Sequence, residues 1–166
     1  MIKPSRLLRH LLADERRVRR ILPVAAMEAA TRAIAEGERR HDGEVRLCVE
    51  ASLPWSYLRR DAGARERALM MFSKLRIWDT ERNTGVLVYV LLADRAIEIV
   101  ADRGIALKVP QVVWDTICGE LAQAFRADGA QAGVLTAIDR ISDELAAHFP
   151  AQRINDNELP DALVVL

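Results

Sequence analysis

WDTERNTGVLVYVLLADRAIEIVADRG, residues 78–104, decides the fold. Val86, Val88, Val90 and Leu92 point one way and Leu87, Tyr89 and Leu91 the other, so the first strand is apolar on both faces. A strand of that kind is central and covered by helices on both sides. The short ADRA run at 93–96 turns the chain back. The returning strand sets Ile97, Ile99 and Ala101 on one face but Glu98 and Asp102 on the other, which predicts a position nearer the sheet edge.

Working outward, EVRLCVE at 44–50 alternates Val45, Leu47 and Val49 against charged neighbours and reads as another strand. SLPWSYL at 52–58 breaks regular structure at Pro54. AGARERALMMFSKL at 62–75 follows as a helix with Ala68, Met71, Phe72 and Leu75 on its buried stripe. Strand, helix, strand is the pattern of a parallel crossover. A helix over 21–43 precedes it, and two more follow, one after Pro110 and one after Gly133. The order α, β, α, β, β, α, α predicts an α/β/α three-layer sandwich around a small mixed sheet, with one parallel crossover and one antiparallel hairpin. Residues 1–21 form a basic amphipathic segment, 22–149 the α/β/α domain, and 150–166 a tail that is polar and then apolar.

Net charge is zero, so the chain as a whole has no bulk attraction for nucleic acid or an anionic membrane. The charge is nevertheless uneven. Residues through Ile21 carry +5 and the remainder −5. Leu7, Leu8, Leu11 and Leu12 recur at helical spacing among the basic residues, as in a short helix that packs on the domain or meets a partner. Two cysteines without paired spacing read as reduced core residues of a cytoplasmic protein. No run is long and apolar enough to span a membrane, and the N-terminus lacks the h-region of a secretory signal. No GxGxxG or Walker loop points to a nucleotide cofactor, no GxSxG to a serine nucleophile, and no ligand spacing to zinc.

Oxygen ligands are better represented. If the first strand and 85–92 are parallel and 97–104 returns antiparallel, Glu44, Asn83 and Asp102 share one end of the sheet, with Asp79 and Glu81 in the loop leading to it. Carboxylates and amides gathered there suit a hard cation such as calcium. Each residue also fits an ordinary turn, and both readings stand on sequence alone. Asp94 lies at the opposite end, in its turn.

The Asn83-Thr84-Gly85-Val86-Leu87 start, the Asp94-Arg95 turn and the Asp102-Arg103-Gly104 exit together resemble the TPM domain, a family founded on thylakoid-lumen, photosystem-repair and MOLO proteins. The resemblance covers roughly residues 22–149. It implies the same α/β/α sandwich, a divalent cation, usually calcium, at a loop edge, accessory roles at membrane complexes, and acid phosphatase activity in one branch. It carries Glu44, Asp79, Asn83 and Asp102 over as metal ligands; many relatives bear an acid or amide where Thr84 stands here. The expected function is a non-catalytic, calcium-binding accessory module with a protein partner, cytoplasmic and peripheral to a membrane complex. The alternative is a metal-assisted acid phosphatase in which Arg103 steadies phosphate charge.

Overall fold

The computed structural model describes residues 3–151 and 158–166. The described elements are α1 (Pro4–Leu11), α2 (Glu15–Ile21), α3 (Val24–Glu38), β1 (Glu44–Glu50), α4 (Trp55–Arg59), α5 (Ala64–Lys74), β2 (Gly85–Leu91), β3 (Ala96–Ala101), α6 (Arg103–Ala106), α7 (Gln111–Arg126), α8 (Ala130–His148) and β4 (Val164–Val165). The sheet order is β3-β2-β1-β4. β1 and β2 are parallel with Glu44 opposite Gly85, and β3 returns antiparallel with Ala101 opposite Val86.

Both faces of the central pair are buried: β2 is apolar on both, as a strand covered on two sides requires, whereas β1 also buries Glu44, Arg46 and Glu50. Val45, Leu47 and Val49 join Val86, Val88 and Val90 in a core covered by α2, α3, α7 and α8. Leu87, Tyr89 and Leu91 face a second core with Leu58 of α4 and Ala68, Met71 and Phe72 of α5. The result is the three-layer α/β/α sandwich with a mixed sheet that the sequence predicts.

Five local features differ from the sequence reading. The returning strand stops at Ala101 rather than running to Gly104, because the Asp102 side chain accepts from the Arg103 amide and starts α6. The basic N-terminal segment forms two helices, because Asp14 accepts a hydrogen bond from the Arg17 amide at 3.0 Å and caps a new start. Pro54 precedes α4 rather than an irregular stretch; its φ of −57° suits the residue ahead of a helix. α8 begins at Ala130, ahead of Gly133, whose missing side chain admits α7: a Cβ there would lie 2.4 Å from that of Ala124. The apolar end of the tail supplies β4, parallel to β1 at Cys48 and Val49, while 152–157 lie outside the described residues.

The second core holds a buried polar knot. Arg67 donates two hydrogen bonds to Glu50, at 2.6 and 2.8 Å, and the Tyr89 hydroxyl donates to the same carboxylate. Removing one partner of such a pair leaves a buried charge uncompensated. Arg67→Ala is expected to cost about 3–5 kcal/mol in urea unfolding. Arg40→Ala, which loses exposed pairs with Asp139 and Asp143, is expected to cost less than about 1 kcal/mol. Equal losses would show that the knot adds no more to stability than an exposed pair.

Candidate functional site

The parallel register brings the starts of β1 and β2 together, and the antiparallel return brings the end of β3 to the same place. The loop between α5 and β2 closes over this end. A Cβ on Gly85 would sit 2.0 Å from the Ile77 carbonyl oxygen, and one on Gly104 would sit 2.6 Å from that of Asn83, so glycine alone admits the loop at both points. Asn83 adopts the left-handed conformation, φ 55°, which asparagine tolerates better than most residues. Thr84 is fully buried. Its amide donates to Thr80 Oγ1 and its hydroxyl to the Asp42 carbonyl, each at 2.9 Å. An acid at that position would bring its charge into this buried joint.

The four predicted ligands have different surroundings. Asp102 caps α6, its Oδ1 accepting from the Arg103 amide at 2.7 Å; its Oδ2 is shut off from solvent without a hydrogen-bond partner among the described residues. Asn83 lies beside it through Arg103, whose Nε donates to Asn83 Oδ1 at 3.1 Å. Asp79 is exposed in the loop, 3.5 Å from Arg76. Glu44 is buried, and its two oxygens accept from the amides of Glu158 and Leu159 at 3.2 and 3.3 Å. Among the described residues no group of three or more His, Cys, Asp or Glu side chains is arranged to hold a metal ion. A cation at this edge would have to draw on Asp102, a further lone pair of the Asn83 side-chain carbonyl that Arg103 already engages, and main-chain or solvent oxygens, with Glu44 engaged by the tail. The orphaned Asp102 oxygen fits that role, since a buried carboxylate oxygen otherwise carries an uncompensated desolvation cost.

The sequence alone gave no sign of the strap built by the tail. Glu158 accepts from the Glu81 amide at 3.0 Å while its own amide is held by Glu44, so the tail bridges β1 and the loop. Neighbouring acids crowd this strap: Glu38 accepts from the Val45 amide at 2.9 Å, and Asp161 lies close enough to both Glu38 and Glu44 to oppose their ionisation. Arg46 is buried beside these acids. Such long-range pairing could be anticipated only from an unusual density of acids at a strand start and in a tail.

At the opposite end, Asp94 does more than turn the chain. Arg6 binds it through three hydrogen bonds of 2.8–3.1 Å, and His10 Nε2 lies 3.1 Å from it. Ser52 stands 3.2 Å from the other ring nitrogen of His10, so a serine, a histidine and an aspartate meet. That set is not a nucleophilic triad, because the Leu53 amide donates to the same ring nitrogen at 3.1 Å and occupies the lone pair a general base needs. It fastens α1 to the sheet. Neither cysteine offers a reactive thiolate either: burial pushes Cys48 up to about 12 and Cys118 up to about 11.

Among known sequence families, the pattern of the TPM domain matches residues 19–144. The chain belongs to the TPM domain family. The structure is similar to that of the BA42 protein from the psychrophilic bacterium Bizionia argentinensis, solved by NMR, with a TM-score of 0.77 and 26% identity over 87% of this chain and 95% of that one. No curated protein matches the chain. This TPM domain contains no described helix long and apolar enough to cross a membrane.

Burial pushes Glu38 up to about 8 and Glu44 up to about 7, from an ordinary value of 4.5. Folding thus favours their protonated forms. Their stabilising contribution is full below 4.5 and is lost as pH rises through 7 to 8. His41, held down to about 4 by burial, acts oppositely: its contribution is present above 6.5 and is lost as pH falls through 4. Glu38→Gln keeps an acceptor for the Val45 amide and removes the charge. Its Tm is expected to exceed the parent's by about 4 °C or more near pH ~8.5 and to equal it near pH ~4. A difference independent of pH in thermal melts would show that ionisation of Glu38 does not limit the fold.

Proposed function

We propose that this TPM domain is a non-catalytic accessory module: its loop edge takes a hard divalent cation such as calcium, and its N-terminal helix meets a protein partner associated with a membrane complex. The observation that carries the cation half is the sequestered, unpartnered Oδ2 of Asp102 beside Asn83. A hard cation is satisfied by oxygen donors of this kind, and bound water completes its coordination. Asp102 would hold it and Asn83 would orient toward it. Glu44 would act one step away, fixing the strap that closes the same edge.

The partner half rests on α1. Arg6 and His10 fasten the helix and Leu7 packs inward, yet Leu8, Leu11 and Leu12 are 56%, 71% and 70% exposed. Leucines clustered on one short helix beside Arg9 form an apolar patch with a basic rim, as partner-binding surfaces do. The tail's apolar end is a weaker contact surface, since Leu159, Val164 and Leu166 pack into the second core. A reducing, cytoplasmic setting is supported by two free cysteines.

Backbone amide NMR of the apo protein titrated with calcium, with magnesium as control, tests the site. Saturable shifts centred on Asn83, Asp102 and Arg103 are expected, weakened about tenfold or more by Asp102→Asn, which preserves the α6 cap. No saturable shift at millimolar calcium would reduce these residues to turn chemistry. Removing residues 1–21 is a poor test of partner binding because Val18 is fully buried in the core. Leu8→Glu with Leu11→Glu is expected to leave the melting curve unchanged and to abolish capture of the partner; retained capture would move the contact elsewhere. Metal-dependent hydrolysis of a phosphate monoester, lost in Asp102→Asn and Arg103→Ala, would favour the phosphatase reading instead.

A further inference from the structure

The far end of the sheet carries a second candidate site. A groove of about 490 Å³ lies between α2, the β2–β3 turn and the junction of α7 with α8. Arg17, Arg20, Arg95 and Arg126 line it, over an apolar floor that includes Ile97 and Phe125. Asp128 is the acid in the lining, so the groove carries a surplus of three positive charges. None of the four arginines makes a side-chain hydrogen bond or ion pair among the described residues, although this chain pairs many of its other arginines. Arg95 is also held in the left-handed conformation, φ 53°, at a hairpin position where glycine or asparagine is the ordinary choice. Its neighbour Asp94 is fastened to Arg6 and His10, which fixes the turn that carries it.

We propose that this groove binds a small amphiphilic anion: a phosphate or carboxylate head met by the guanidinium groups, and a short apolar body lying on the Phe125 floor. Its volume falls in the range of small-molecule sites, which are mostly apolar with a few placed polar groups. Guanidinium groups suit both heads because their paired N–H donors match two oxygens at once. The site is separate from the loop edge at the opposite end of the sheet, and its test does not involve calcium.

Isothermal titration of the full chain with octyl phosphate and with octanoate tests it. Saturable 1:1 binding of either is expected, and the tighter of the two identifies the preferred head. Octanol and inorganic phosphate are each expected to bind about tenfold or more weaker, since each lacks half of the ligand. Arg95→Ala with Arg126→Ala is expected to weaken binding by about tenfold or more, with an unchanged melting curve because neither side chain has a partner to lose. Gln131→Glu, placing an acid in the lining, is expected to weaken it as well. Equal binding of octanol, undiminished affinity in both variants, or no saturable heat with either amphiphile would overturn the proposal. Displacement of octyl phosphate by an equal concentration of hexaglutamate would overturn it in favour of an acidic peptide.

Discussion

The parallel seam between β1 and β2 is the constraint on which the rest of the structure depends. Its register sets Glu44 beside Gly85, and because β3 pairs antiparallel on the other side of β2, the Asp102 amide reaches the Gly85 carbonyl at 2.9 Å. A slip of one residue would turn every β2 side chain to the opposite face and put Tyr89 into the core of valines and isoleucines. Tyr89 is fixed on its own face by Glu50 and Arg67, so polar bonding and apolar alternation specify the same register. The loop over Gly85 then follows. The Ile77 carbonyl can press on the strand start only where no Cβ stands, and that brings Asn83 to Gly104 and Arg103.

Most of this frame is legible in the sequence because it rests on alternation and helical spacing, which are local signals. The strands at 44–50 and 85–91 and the return through 97–101 follow from period-two patterns, and the turn at 93–95 from the polar residues between them; the stop at Ala101, where Asp102 caps α6, does not. The meeting of Glu44, Asn83 and Asp102 at one end of the sheet is then a matter of topology. What the sequence hides is long-range and polar. A two-residue strand has no period to detect, so Val164–Val165 reads as tail. Glu44 looks like any acid at a strand start until the Glu158 and Leu159 amides arrive from more than a hundred residues away. Gly133 looks like a helix boundary because its reason, the close approach of α7, lies in packing rather than in local conformation.

The N-terminal excess of basic residues acquires a structural division of labour. Arg6 is consumed in fastening α1 to Asp94, while Arg17 and Arg20 of α2 are left facing a groove without acidic partners. An exposed arginine gains little from a surface ion pair, so unpaired arginines are individually unremarkable. Four of them lining one groove are different, because their charges add to a positive potential there that no single exposed arginine provides. The two ends of the sheet therefore have opposite character: buried acids and an orphaned carboxylate oxygen at one, clustered guanidinium groups at the other.

The strap at the acidic end ties the tail to the ionisation of a buried acid. Glu44 and Glu158 join β1, the tail and the loop by accepting three hydrogen bonds from main-chain amides, two of them at Glu44, an acid that burial discourages from ionising. Closure of the strap favours the carboxylate form of Glu44, through those amides, while desolvation opposes it. The register of one parallel strand pair, by placing Glu44 at the start of β1 opposite Gly85, thereby connects the protonation of Glu44 to the position of the tail.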